Sequence, residues 1–315
     1  MKRSYLYLFL QISILVLLLS IFYKNPYFII SANNNVITQA AKQSDALLEE
    51  IIERADTYEI APEDAYIDKV WKKTPGRNGK KVNIEKSYDN MKSDGKFDER
   101  KLVFDEVPPQ ISLSDLPPSP IYRGHPEKKM VALMINVSWG TEYIPSILKT
   151  LKEHQVKATF FIEGKWAKEN KAIVEMIHEQ NHLIGNHAYN HPDMARISQA
   201  DMIKQLEDTN DIIEAIVDYR PKWFAPPSGS FNDTVVQVAH ELEMETILWT
   251  VDTIDWKNPS VSVMINRVMK NIHPGATVLM HPTEPVSQGL DQLIEQIKLE
   301  NYELHTIEAL LSEHR

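Results

Sequence analysis

The sequence predicts an α/β fold: a parallel sheet with crossover helices, preceded by a membrane segment and a small α+β module. Three observations predict it. Short apolar runs alternate with amphipathic stretches from about residue 130 to the end. An uncharged run from Ser4 to Tyr23 follows Met1-Lys2-Arg3. Between the two lies a turn-rich stretch that ends in Leu116-Pro117-Pro118-Ser119-Pro120.

The chain has 315 residues, 43% of them hydrophobic and 25% charged, enough to bury a sizeable core. Lys and Arg number 34 against 44 Asp and Glu, for a formal charge of -10. No nucleic-acid partner is expected, because nonspecific binding needs a basic face to displace counterions from phosphate. There is no cysteine. Disulfides, thiolate nucleophiles, Cys-ligated zinc and iron–sulfur clusters are therefore excluded.

The elements follow in order. Residues 1–32 form the N-terminal segment, whose uncharged run Ser4 to Tyr23 is long enough, at about 30 Å for twenty helical residues, to cross a bilayer. Its basic flank predicts that the N-terminus stays inside and the rest lies outside, membrane-anchored or secreted. The run reads as an uncleaved signal-anchor or a cleaved signal peptide. Its length and the poor cleavage site Ile30-Ser31-Ala32 favour the anchor. Residues 33–65 read as a linker and stalk helix, with Leu47, Leu48, Ile51 and Ile52 at helical spacing, or as an early element of a small domain. Residues 66–116 read as a small module. Pro75-Gly76-Arg77-Asn78-Gly79 marks a turn, Lys80 to Ile84 alternates like a strand, and Glu85 to Lys92 is helix-like. This module resembles a peptidoglycan-binding module, and a spacer without affinity is the other reading. Residues 117–127 form a Pro-rich linker.

Residues 128–315 carry strands at Met130–Val137, Ala158–Ile162, His182–Gly185, Trp223–Ala225, Ile247–Val251, Thr277–Met280 and Leu304–Ile307, with helices between them. Seven strands fit a barrel or an open doubly wound sheet. No Gly-rich phosphate loop follows the first strand, so no nucleotide or flavin cofactor is expected.

Ligands in such folds sit at the C-terminal strand ends. There the sequence places His187 and His191, four apart and suited to a divalent ion such as zinc, or simply two surface histidines. His281 precedes Pro282 and suits a general acid. Asp252 and Asp255 suit a carboxylate that orients such a His, or turn formation.

Five ordered motifs resemble the polysaccharide deacetylase family, which carries the NodB-homology domain. They are Lys157-Ala158-Thr159-Phe160-Phe161, Ile184-Gly185-Asn186-His187 through His191, Pro226-Pro227-Ser228-Gly229-Ser230-Phe231, Val251-Asp252-Thr253 through Asp255-Trp256, and Leu279-Met280-His281. The Asn-Val-Ser-Trp-Gly form of the preceding motif looks like a sporulation-associated subgroup of endospore formers. The resemblance implies a distorted (β/α) barrel and the hydrolysis of N-acetyl groups on cell-wall or spore glycan. It implies a divalent metal, zinc, in the family's usual Asp-His-His group, with His187 and His191 as two of its ligands. A carboxylate base, an oxyanion site near Ser228, the acid His281 with its partner Asp255, and a groove of Trp256, Leu279 and Pro227 complete the expectation. The implied partner is an acetylated glycan, peptidoglycan or chitin-like.

The resemblance breaks at three positions. Against the family's Thr-Phe-Asp-Asp-Gly stand Met134-Ile135-Asn136-Val137-Ser138. Asn136 occupies the base position and has no accessible basic pKa. Val137 occupies the metal-ligand position and has no donor atom. Ala225 replaces the Arg that pairs with the base, which is coherent, since a buried guanidinium without its carboxylate is an unpaired charge. Glu142, Asp193 or Asp252 are the candidates to complete a metal site. Two expectations follow: a deacetylase with degenerate base and metal positions, or a glycan-binding pseudoenzyme at the envelope.

Overall fold

A computed structural model describes residues 46–315. The expected membrane segment lies outside the described residues. Among those residues no helix is long and apolar enough to cross a membrane.

Contact density divides the described chain into two units. The smaller holds residues 46–57 and 82–103. Residues 46–55 are helical, and Leu47, Ile51 and Ala55 are buried at a spacing of four, along one face. The helix Ile84–Met91 begins at Asn83, whose side chain accepts a hydrogen bond from the Lys86 N–H at 2.9 Å. The expected stalk thus has a buried face and groups with residues 82–103, and neither unit has the bounds 66–116.

The larger unit holds residues 58–81 and 104–315. It opens on strands β1 (Tyr66–Asp68) and β2 (Lys72–Thr74), paired antiparallel, and on β3 (Gly79–Val82), which pairs with β4 (Phe104–Val107). The Pro-rich stretch is docked rather than free. Ile121 is 1% exposed and bridges to Lys72 and to Ile247, because an extended segment with free N–H and C=O groups completes itself against an open strand edge.

The main sheet contains β5 (Met130–Val137), β6 (Thr159–Ile162), β7 (Leu183–Asn186), β8 (Trp223–Phe224), β9 (Glu245–Thr246), β10 (Val251–Asp252), β11 (Thr277–Met280) and β12 (Glu303–His305). Its order is β10-β11-β5-β6-β7-β8-β9, every described pairing is parallel, and β12 adds to the start of β5. β9 and β10 are the two ends of this order, so the sheet is a curled half-barrel rather than a closed one. The strand expected at 247–251 is divided. Ile247 N–H reaches Phe224 and Leu248 N–H reaches Ile121, so this stretch closes the gap beside β8 instead of extending β10.

Alternation along the strands positions the site. In β5, Val131, Leu133, Ile135 and Val137 pack outward with helix residues such as Ile147, Leu290 and Ile294. Ala132 and Met134 face inward with Phe161, Ala225 and Leu279. Asn136 is the next inward position, at the mouth. Both faces of β5 are covered, which is why it reads as an unbroken apolar run. Gly185 is required inside: a Cβ there would meet the Phe161 ring at 2.4 Å.

At the opposite end of β7, His182 is 4% exposed. Its Nδ1 accepts the Ala158 N–H at 3.2 Å, and its Nε2 is buried without a partner. Burial, helped by the Lys157 charge, pushes its pKa down to about 4. The unfolded chain, with His near 6.5, therefore binds a proton that the folded chain refuses as pH falls from about 6.5 to about 4. Stability is expected to fall over that window, by up to about 3 kcal/mol from this residue. His182→Gln keeps an acceptor but cannot titrate. Its Tm should fall less between pH 6.5 and pH 4.5 than that of the wild type, and parallel Tm curves would refute the assignment.

Candidate active site

The inward positions at the C-terminal strand ends line a cleft of about 450 Å³. Asn136 comes from β5, His187 and His191 from the loop after β7, Ser228 from the turn after β8, and Leu279 and His281 from the end of β11. Trp256 lines the cleft. Pro227 is buried behind Ser228 and does not line it.

The segment after β10 brings Asp255 against His281. Asp255 is fully buried, and its Oδ1 lies 2.9 Å from His281 Nδ1. Its Oδ2 accepts the His281 backbone N–H at 2.9 Å and the Thr283 hydroxyl at 2.8 Å. Burial opposes ionisation of this carboxyl, but the His281 ring, its charge and the Thr283 hydroxyl together hold it below the usual range. A carboxylate at Nδ1 orients the ring and leaves Nε2 as the functional nitrogen.

His187 is 1% exposed, and its Nδ1–H donates to the Ala225 carbonyl at 2.7 Å. Burial, then the neighbouring His191, pushes its pKa down to about 3. Burial also lowers that of His191. The two rings meet edge to face with centroids 5.1 Å apart. Ala188 and His191 both adopt left-handed backbone, with φ of 61° and 57°. Ser228 does too, at 54°. Strained residues of this kind persist where the surrounding structure holds them.

The positions where the motif breaks are also placed. Asn136 is 2% exposed, and its Oδ1 is buried without a partner. Val137 is fully buried in the outward-facing core and does not line the cleft.

A divalent metal needs more than this. Among the described residues no three His, Asp or Glu side chains converge. Asp193 accepts the Ser230 hydroxyl and pairs with Arg196 at 3.1 Å. Asp252 lines the cleft while accepting the Ile254 N–H at 2.8 Å. Neither these two nor Glu142 joins the imidazoles in a ligand group. Two imidazoles without a third protein ligand do not fit the Asp-His-His group that the resemblance implies.

Sequence reasoning missed two lining residues, Trp139 and Trp249. Trp139 stacks on His281 with centroids 5.2 Å apart and planes 17° from parallel. Gly140 permits it: with φ at 74°, a Cβ there would stand 1.9 Å from the Pro282 carbonyl oxygen. The signal available was an indole placed directly after a polar strand end.

The family model for polysaccharide deacetylase matches residues 123–247. A peptidoglycan-N-acetylglucosamine deacetylase of Bacillus cereus is 34% identical over 194 residues, which cover 60% of this chain and 70% of that one. The chain belongs to the polysaccharide deacetylase family. Within that family it is 48% identical over 295 residues to the YlxY protein of Bacillus subtilis, covering 93% of this chain and 92% of that one. It is also similar to the crystal structure of a CE4-family pseudoenzyme from Bacillus anthracis, at a TM-score of 0.79 and 54% identity, over 85% of this chain and 96% of that one. A mutant of that protein, described as having restored enzymatic activity, matches at a TM-score of 0.79 and 53% identity, over 85% of this chain and 99% of that one. The polysaccharide deacetylase family resemblance read from the five motifs therefore holds.

Proposed function

We propose that this chain binds amino-sugar glycan of the cell wall or spore envelope in the cleft, outside the cytoplasmic membrane, and has lost the hydrolysis that its family performs. One observation carries the reading. The base and metal positions hold an amide and a valine, and among the described residues the two retained imidazoles have no third ligand. The similarity to a CE4-family pseudoenzyme, and to a mutant of it described as regaining activity, supports the reading. So does the retained groove, because exposed indoles such as Trp256, 54% exposed, stack readily on the apolar faces of sugar rings.

The direct test is acetate release from acetylated chitooligosaccharides and peptidoglycan fragments, with and without zinc, alongside glycan pull-down. No acetate is expected from the wild type. Binding is expected, and Trp256→Ala should weaken it at least about tenfold, or about 1.4 kcal/mol. Equal binding by that variant would count against the groove.

A second reading, a slow deacetylase acting on carbon–nitrogen bonds of the same glycan, rests on the intact His281–Asp255 pair. In that reading His281 takes a proton from water and returns it to the leaving amine. It requires acetate release that His281→Ala abolishes.

A further inference from the structure

We infer that the cleft selects the de-N-acetylated form of the glycan, gripping a protonated sugar amine in place of the acetamide that the family hydrolyses. The inference rests on the proposed glycan binding and names the chemistry of the bound unit.

The lining holds one carboxylate, that of Asp252, and neither Lys nor Arg among the described residues. Lys257 lies over the Trp256 ring at 4.8 Å, outside the lining. His187 has committed its Nδ1–H to the Ala225 carbonyl, so its Nε2 offers a lone pair. Asn136 adds a buried Oδ1 that has no hydrogen-bond partner. Such an atom is costly unless a donor reaches it. The His281–Asp255 pair brings no positive charge, because a protonated ring is balanced by its carboxylate and a neutral ring leaves a net negative one.

The walls point the same way. Trp139, Trp249 and Trp256 all line the cleft. Indole faces attract ammonium groups, and more strongly where water is displaced. Trp139 is held in place from below by His281 and remains 46% exposed, so its other face is available without rearrangement. A carboxylate and indole faces around one cavity suit an organic ammonium. A neutral acetamide gains little from them. A divalent ion would use the same acceptors, but no third His, Asp or Glu joins His187 and His191 among the described residues.

The experiment is calorimetric titration of the full-length chain, treated with a chelator, at about pH 6, below the usual amine range. Two probes are compared, a glucosamine pentamer and the fully N-acetylated pentamer. The free-amine pentamer should bind at least about tenfold more tightly, a difference typical of one added charged contact. Asp252→Asn, which keeps the oxygen that accepts the Ile254 N–H, should bring the free-amine pentamer down to the affinity of the acetylated one. Equal or tighter binding of the acetylated pentamer by the wild type overturns this inference and leaves glycan binding standing. A preference that survives Asp252→Asn overturns it too, since it would reflect only the acidic surface. If neither pentamer binds, both this inference and the proposed function fail.

Discussion

Asn136→Asp combined with Val137→Asp is expected to raise acetate release from an acetylated chitooligosaccharide at least about 100-fold over the wild type once zinc is supplied, the lower end of what a positioned base contributes. The first substitution puts a basic oxygen where an amide with no usable lone-pair basicity now faces the cleft. The second places a carboxylate at the family's metal-ligand position on the outward face of β5, and zinc has to draw it toward the two imidazoles for the site to form. The double variant also carries a thermodynamic signature. Val137 is fully buried among apolar side chains, so the metal-free variant places a carboxylate where nothing solvates it. Its Tm should fall below that of the wild type without metal and recover with zinc, because metal binding to a folded site is itself folding free energy. Adding Ala225→Arg should raise the rate further by holding the new carboxylate ionised. If neither the double nor the triple variant releases acetate with zinc present, the cleft has diverged beyond its three lost side chains.

The largest loss of stability from a single change is expected at Glu245→Ala. Lys73, on β2, has a fully buried side chain whose ammonium meets the Glu245 carboxylate at 2.6 Å. Removing the acid leaves a buried cation with no partner, at a cost of about 3 kcal/mol or more. Glu245 is itself 24% exposed, so Lys73→Met leaves a carboxylate that water can reach and should cost less. Urea unfolding of the two variants measures the asymmetry. Equal losses would show that the ion pair is not what fixes β2 against β9. The consequence reaches the cleft, because β9 leads within three residues to Trp249.

Much of the polysaccharide deacetylase-like half was legible from the chain itself. β5 and β11 stand where the apolar runs stood, since a strand covered on both faces has no polar position until its mouth. The strand expected at 247–251 falls between β9, which ends at Thr246, and β10, which begins at Val251, because an apolar run does not reveal which of its residues find a partner strand. The helices Gly164–Glu169 and Ile307–Leu311 were missed. The first is too short for a clear period, and the second begins where the last strand was expected to end.

Local sequence determined the chemistry present and the chemistry missing: an amide and a valine in place of carboxylates, an alanine in place of a guanidinium, and two histidines four apart. These facts depend only on which atoms each side chain carries. The tertiary structure decided that Asn136, His187 and His281 face one cleft, that Val137 turns away from it, and that Trp139 lies on His281. Strand order and pleat set those relations, and β11 pairs with β5 across more than a hundred residues of intervening chain. No local pattern encodes a pairing over that distance, because it is selected by the burial of both strands at once.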